Sequence, residues 1–303
     1  MLPASECGES IMAQKIDLAP VVAVMNMKGG VGKTTISANL FRELYRRIGA
    51  GKKTLLIDFD AQFNLTQSVV TEKSYETLQK EKRTIWYVLE APVPTSVFQT
   101  SDKDLEDCGS WKDYATLLKN TTANDELHLL PGDFSIAELN LRENPQSLAL
   151  ARRRFKGLIH SAQKECALVV LDCNPASSFL TRCAIENATD LLIPVRPDKY
   201  SVLGLKMVTE YVHKIRPASE RPRLHVIFNG VGRGQSSVEA EVLANATFAP
   251  LTLSTRIPLT NVLIARPDYT GFNVDRGVKN AGNIRSAMVN AANELSKRIG
   301  LTK

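Results

Sequence analysis

Met27-Lys28-Gly29-Gly30-Val31-Gly32-Lys33-Thr34-Thr35 is the stretch on which the reading of this chain turns. An apolar run, 21–26, leads into it, and an amphipathic segment, 36–47, follows directly. A strand, a glycine-rich turn and a helix start in that order present successive backbone N–H groups to a phosphate, with the helix dipole behind them. The glycines admit close approach, Lys33 brings positive charge to β and γ phosphates, and the Thr34 hydroxyl can coordinate magnesium. The strict G-x-x-x-x-G-K-[ST] pattern fails at Met27, which stands where its first glycine belongs. A dinucleotide fingerprint fits worse, because the third glycine is missing. A glycine-rich turn without chemistry would leave the two lysines and the threonine pair unexplained, since those spacings serve no packing purpose.

Two further apolar runs end in acids. Leu55-Leu56-Ile57-Asp58-Phe59-Asp60 carries two carboxylates one residue apart, and 168–171 is followed by Asp172. In an α/β sheet the carboxyl ends of strands are where ligands bind, so these acids are expected beside the glycine-rich turn. A lone aspartate at a strand end commonly forms a turn; three of them accompanying one phosphate loop point to chemistry instead.

The remaining chain alternates between apolar runs and helix-period segments, the pattern of repeated βαβ units. Strands are expected at 21–26, 54–58, 126–130, 167–172, 190–195, 224–229 and 253–257. Helices are expected at 34–47, 147–163, 179–187, 202–215, 238–246 and 283–299. The fold class is therefore α/β: a single doubly wound, mostly parallel sheet flanked by helices. Residues 71–124 form an irregular, insertion-like region with short helical patches at 84–89 and 111–118, and long excursions of this kind are more often functional than accidental. Residues 1–19 read as a flexible N-terminal extension to one domain spanning 20–303.

At 303 residues, 44% hydrophobic and 23% charged, the composition excludes a coiled-coil rod, a collagen and wholesale disorder. A net charge of +6 favours polyanionic partners. Five scattered cysteines, odd in number and without a C-x-x-C pair, argue against a disulfide framework or a metal cluster. The four histidines share no metal spacing. No apolar run reaches membrane-spanning length and no signal peptide opens the chain, so a cytoplasmic protein is expected.

The stretch K-G-G-V-G-K-T-T resembles the deviant Walker A motif of the ParA/MinD family of P-loop ATPases, and the ParA branch in particular. Asp58 to Thr66, D-F-D-A-Q-F-N-L-T, resembles that family's D-x-D-P-Q-G-N-x-T; L-D-C-N-P-A-S-S resembles D-C-P-P-S; and 193–205 resembles I-P-V-Q-P-E-x-x-x-x-x-G-L. The resemblance runs over about 21–299 and is weak only at 71–124. It implies that Gly29, Gly30, Val31, Gly32, Lys33, Thr34 and Thr35 wrap the phosphates of ATP. It further implies that Lys28 reaches across an ATP-bound homodimer, that Asp60 positions the attacking water, and that Thr34, Asp58 and Asp172 hold Mg2+, the acids mainly through water. Asn229 is similar to the adenine-reading asparagine, with Pro258 flanking the base. Ala61, Phe63, Asn174 and Arg196 depart from the family pattern.

Between Arg142 and Lys164 stand six basic residues against one acid, and the last 40 residues carry seven against three. For a protein resembling ParA such clusters imply sequence-independent contacts with DNA phosphates. The candidates are Arg152, Arg153, Arg154, Lys156, Arg276, Lys279 and Arg285. The resemblance implies an ATP-dependent dimer that binds nonspecific DNA, associates with the nucleoid, partitions DNA or another large cargo, and hydrolyses ATP slowly under a ParB-like stimulator. The alternatives are a MinD-like membrane-associated ATPase and a P-loop enzyme or regulator on the same fold. Against the membrane, Ile284, Met288, Ala291, Leu295 and Ile299 form a narrow stripe suited to packing on the protein's own sheet.

Overall fold

The computed structural model describes residues 18–91, 105–174, 178–232, 237–264, 266, 268–279 and 281–301. Residues 1–17 of the expected extension, 92–104 of the irregular region and 175–177 of the D-C-N-P-A-S motif lie outside them.

Strands β1 (Val21–Val24), β5 (Leu168–Cys173) and β6 (Asp190–Val195) are buried at every position. Such continuous burial is what a parallel strand covered on both faces requires, and it explains why these runs are almost unbroken Val, Ile and Leu. With β2 (Lys53–Phe59), β3 (Thr116–Asn120), β4 (Glu126–Leu130), β7 (Arg223–Val231) and β8 (Thr252–Pro258) they form one eight-stranded sheet in the order β3-β4-β2-β5-β1-β6-β7-β8. All pairings are parallel except β3 with β4. From β1 the chain crosses to the β2 side, and from β5 it crosses to the β6 side. The crevice between these crossovers lies at the carboxyl end of β1, where the glycine-rich turn begins.

Helix α1 (Lys33–Leu44) packs Ile36, Leu40, Phe41 and Leu44 on one face of the sheet beside α10 (Ala281–Arg298). In α10 the stripe Ile284, Met288, Ala291 and Leu295 is buried against the sheet as expected, with Ile299 just beyond its end. Glu43, fully buried on α1, bonds Arg285 of α10 at 2.9 Å. The opposite face carries α6 (Pro145–Glu165), α7 (Phe179–Asn187) and α8 (Ser201–Ile215), with Phe155 of α6 stacked on Phe59 of β2 at 4.4 Å.

Residues 71–124 are more regular than the sequence suggests. After α2 (Asn64–Val69), helix α3 (Glu72–Lys80) starts at Thr71, whose hydroxyl accepts from Ser74 N, and α4 (Ile85–Leu89) matches its expected patch. The expected helix over 111–118 is corrected: α5 (Trp111–Tyr114) is a single turn, and Thr116 onward enters the sheet as β3. β3 is a mostly exposed edge strand whose register shifts between Leu117 and Lys119. At the other edge, after α9 (Ser237–Ala244), Glu294 of α10 accepts from the backbone N–H groups of Ser254 and Thr255 in β8 at 2.8 and 3.1 Å.

Candidate nucleotide site

The turn after β1 is fixed at its first residue. Buried Asn26 donates to Pro194 O at 2.9 Å and accepts from Lys28 N at 2.9 Å, which ties the turn to β6. Gly30 and Gly32 then take φ values of 73° and 89°, the left-handed region that favours glycine. Gly32 caps α1, and a Cβ there would lie 2.1 Å from the Asn229 amide nitrogen, so the position has room for glycine alone. Asn229 Nδ2 donates to Val31 O at 2.8 Å, which brings β7 against the turn. Lys33 is buried, its Nζ donating to Lys28 O at 3.2 Å. Burial pulls the lysine pKa down, while Asp172 and Asp60 oppose that shift.

Asp58 and Asp172 are level in register on neighbouring strands, and both are almost completely buried. Asp58 Oδ2 accepts from Thr66 N at 2.8 Å and from the Thr66 hydroxyl at 2.7 Å. That hydroxyl in turn accepts from Gly132 N at 2.8 Å. Asp172 Oδ1 accepts from Ser37 Oγ at 2.7 Å, and the Thr34 hydroxyl lies near enough to this carboxylate to lower its pKa. One oxygen of each acid, Asp58 Oδ1 and Asp172 Oδ2, is buried without a hydrogen-bond donor. Burial raises both carboxyl pKa values, and for Asp58 the neighbouring Asp172 raises it further. Two undonated carboxylate oxygens beside a threonine hydroxyl make a hard-oxygen set that suits Mg2+. Asp60 lies one residue beyond β2, where its Oδ1 accepts from Gln62 N at 3.0 Å and from Asn174 Nδ2 at 3.4 Å.

At the rim, Lys28 forms an ion pair with Asp198, and its ammonium lies 5.6 Å from the Tyr200 ring centre. Across the turn from it, a cleft of about 160 Å³ is lined by Gly30, Val31, Arg196, Asn229 and Pro258 among others. The phosphate-loop residues, the three acids, Asn229 and Pro258 thus converge on one end of the sheet.

The basic candidates do not converge in the same way. Arg154 is corrected: it is buried, and its guanidinium donates to the carbonyls of Tyr87, Val88, Leu105 and Asp107, which leaves it no path to a phosphate. Arg276 is corrected for the same reason, since it is buried and donates to Val262 O at 3.1 Å beside the Tyr269 ring. Arg152, Arg153 and Arg285 pair with Glu186, Glu106 and Glu43. Lys156 and Lys279 are exposed.

Sequence reasoning missed the residues that hold the acids. Ser37 stands one helical turn after Lys33, and Thr66 closes the D-F-D-A-Q-F-N-L-T motif, so both carried a spacing signal. Gly132 carried none, because its contact with Thr66 depends on the pairing of β4 with β2.

A family model described as an AAA domain matches residues 19–226. The chromosome-partitioning ATPase Soj of Thermus thermophilus is 27% identical over 255 residues, covering 82% of this chain and 84% of that protein. Among solved structures, a McdA variant from Cyanothece in complex with ATP superimposes with a TM-score of 0.62 at 18% identity, covering 94% of this chain and 98% of the other. The pNOB8 ParA bound to nonspecific DNA superimposes with a TM-score of 0.60 at 20% identity, covering 94% and 100%. At those identities the structural likeness is one of fold.

Proposed function

The chain belongs to the ParA family of P-loop ATPases, and from that premise we propose that it is a partitioning ATPase that binds Mg-ATP, closes a homodimer over it, and binds nonspecific DNA in that state. The observation that carries the reading is the pair of donor-less oxygens on Asp58 and Asp172 beside Lys33 and Thr34. That arrangement is costly in an empty site and suits a cation and a polyphosphate.

In this reading the backbone N–H groups of Gly29 to Thr35 hold the phosphates and Lys33 lies against the β and γ oxygens. Thr34, Asp58 and Asp172 would hold Mg2+, which would supply positive charge against the negative charge of the phosphate oxygens. Asn229 and Pro258 border the base. Asp60, its Oδ1 fixed by Gln62 and Asn174, orients the attacking water. Lys28 exchanges Asp198 for the partner protomer's phosphates, and its charge there stabilises the transferring group. Hydrolysis is slow, a ParB-like protein stimulates it, and release from the nucleoid follows. Among the described residues no helix is long and apolar enough to cross a membrane.

Nucleotide titration combined with analytical ultracentrifugation tests this. Lys33→Ala should abolish ATP binding, whereas Lys28→Ala should keep ATP but lose ATP-dependent dimerisation and turnover. Normal dimerisation and hydrolysis by Lys28→Ala would remove its assigned role, and a wild-type protein that binds no ATP would end the reading.

A further inference from the structure

Phe63 stands where the related motif has glycine, and it adopts a glycine's conformation: φ is 39° and ψ is 39°, inside the left-handed region. A bulky side chain is strained there. The residue is also a joint in the site. Phe63 N donates to Asp60 O at 2.9 Å, closing the turn that carries Asp60, and Phe63 O accepts from Gln67 N at 3.0 Å, opening α2. Through Thr66, α2 then grips Asp58.

Two neighbours hold Phe63 in this shape. Its ring stacks on Tyr75 of α3, with centroids 5.2 Å apart and planes 14° apart. Tyr75 is anchored in turn by its hydroxyl, which donates to Gly132 O at 3.1 Å. On the other side the Gly132 backbone presses close: a Cβ there would lie 2.6 Å from Phe63 Cβ and 2.9 Å from Asp58 Cγ. Beyond the ring pair is a cavity of about 340 Å³ bordered by Phe63, Thr66, Val70 and Tyr75. The Phe63 ring is therefore covered by Tyr75 and open towards the cavity, and Tyr75 is the group whose loss would free that ring to swing there.

We propose that the Phe63–Tyr75 stack replaces the missing glycine, holding the Asp60 turn in its left-handed shape from α3, so that Phe63 and Tyr75 are positioning residues for hydrolysis. The proposal rests on the reading of Asp60 as the residue that orients water. It assigns a task to the segment after α2, which is where the family resemblance is weakest.

A four-variant series tests it, read by kcat at saturating Mg-ATP, by ATP affinity, and by the thermal unfolding midpoint without nucleotide. Glycine takes the left-handed shape without strain, so Phe63→Gly should keep near-normal turnover. Phe63→Ala, strained and without a ring, should lose about tenfold in kcat with ATP affinity unchanged. Tyr75→Phe keeps the ring and loses only the hydroxyl anchor, so it should fall less than Tyr75→Leu, which should fall like Phe63→Ala. The decisive comparison is the pair: placed on the Phe63→Gly background, Tyr75→Leu should add no further loss of turnover and a smaller loss of midpoint than in the wild type, the Tyr75–Gly132 bond being lost on both. Equal damage by Tyr75→Leu on both backgrounds, or a Phe63→Gly variant as impaired as Phe63→Ala, overturns the proposal. If the wild-type protein proves not to hydrolyse ATP, the functional reading fails, and the midpoints alone still decide whether the stack holds the turn.

Discussion

Asp58 illustrates how a residue can be costly to the fold at the place where the proposed site would use it. It is fully buried next to a second acid, and only one of its oxygens has donors. Its carboxyl pKa is raised from the ordinary 3.8, so the folded protein favours the protonated form. The sign of the pH effect follows. Below the unfolded pKa both states are protonated and nothing is lost. As pH rises past it the unfolded chain releases its proton first, and the folded state loses stability until its own raised pKa is passed. Asp58→Asn cannot ionise but can still accept from Thr66. In protein free of nucleotide and Mg2+ it should therefore be more stable than wild type by roughly 1–3 kcal/mol near pH 8, with the margin vanishing near pH 4. Thermal melts across that range check this; a margin independent of pH would mean that the carboxylate is not strained by charge.

Within α6, three successive arginines that look alike in sequence divide between two environments. Arg152 and Arg153 are half exposed and pair with Glu186 and Glu106, while Arg154 turns inward and joins α4 to the 105–107 segment through four carbonyls. Removing the inward one leaves buried acceptors without donors. Arg154→Met should cost roughly 3 kcal/mol in chemical denaturation and leave DNA affinity per folded molecule unchanged. Lost DNA binding at unchanged stability would reverse that assignment. The same helix shows what was legible beforehand. Strong periodicity revealed α1, α6, α7, α8 and α10, and the acids at strand ends marked the site, because in a parallel sheet local pattern and burial agree. The segment from α2 to β3 was legible in that way only at the apolar α4. Its other helices are short and mostly polar, and β3 is a five-residue edge strand defined by its partner β4 rather than by any alternation of its own. Which arginine points inward is likewise decided by tertiary partners.

For the molecule as a whole, the DNA hypothesis narrows once the buried and tied arginines are removed. Arg285 is a poor test position, because replacing it would remove one of the two arginines that pair with the buried carboxylate of Glu43, Arg47 being the other. Lys156→Glu and Lys279→Glu are cleaner. Binding to unrelated duplexes should require ATP and fall steeply with salt, with a slope of about −0.9 per phosphate contact. At least one of the two substitutions should flatten that slope without altering ATP affinity. Gel shifts in ATP, ADP and no nucleotide at two salt concentrations measure it; equal binding in all three states would defeat the DNA-carrier reading. The two borders of the sheet carry a different consequence. An eight-stranded sheet is a template for its own polymer wherever a border strand offers free N–H groups to another chain. Here β3 breaks register and presents a lysine, and β8 gives two of its N–H groups to Glu294. Strand-to-strand accretion is thus disfavoured at both borders, which leaves the helices and loops as the surfaces through which the proposed dimer would be built.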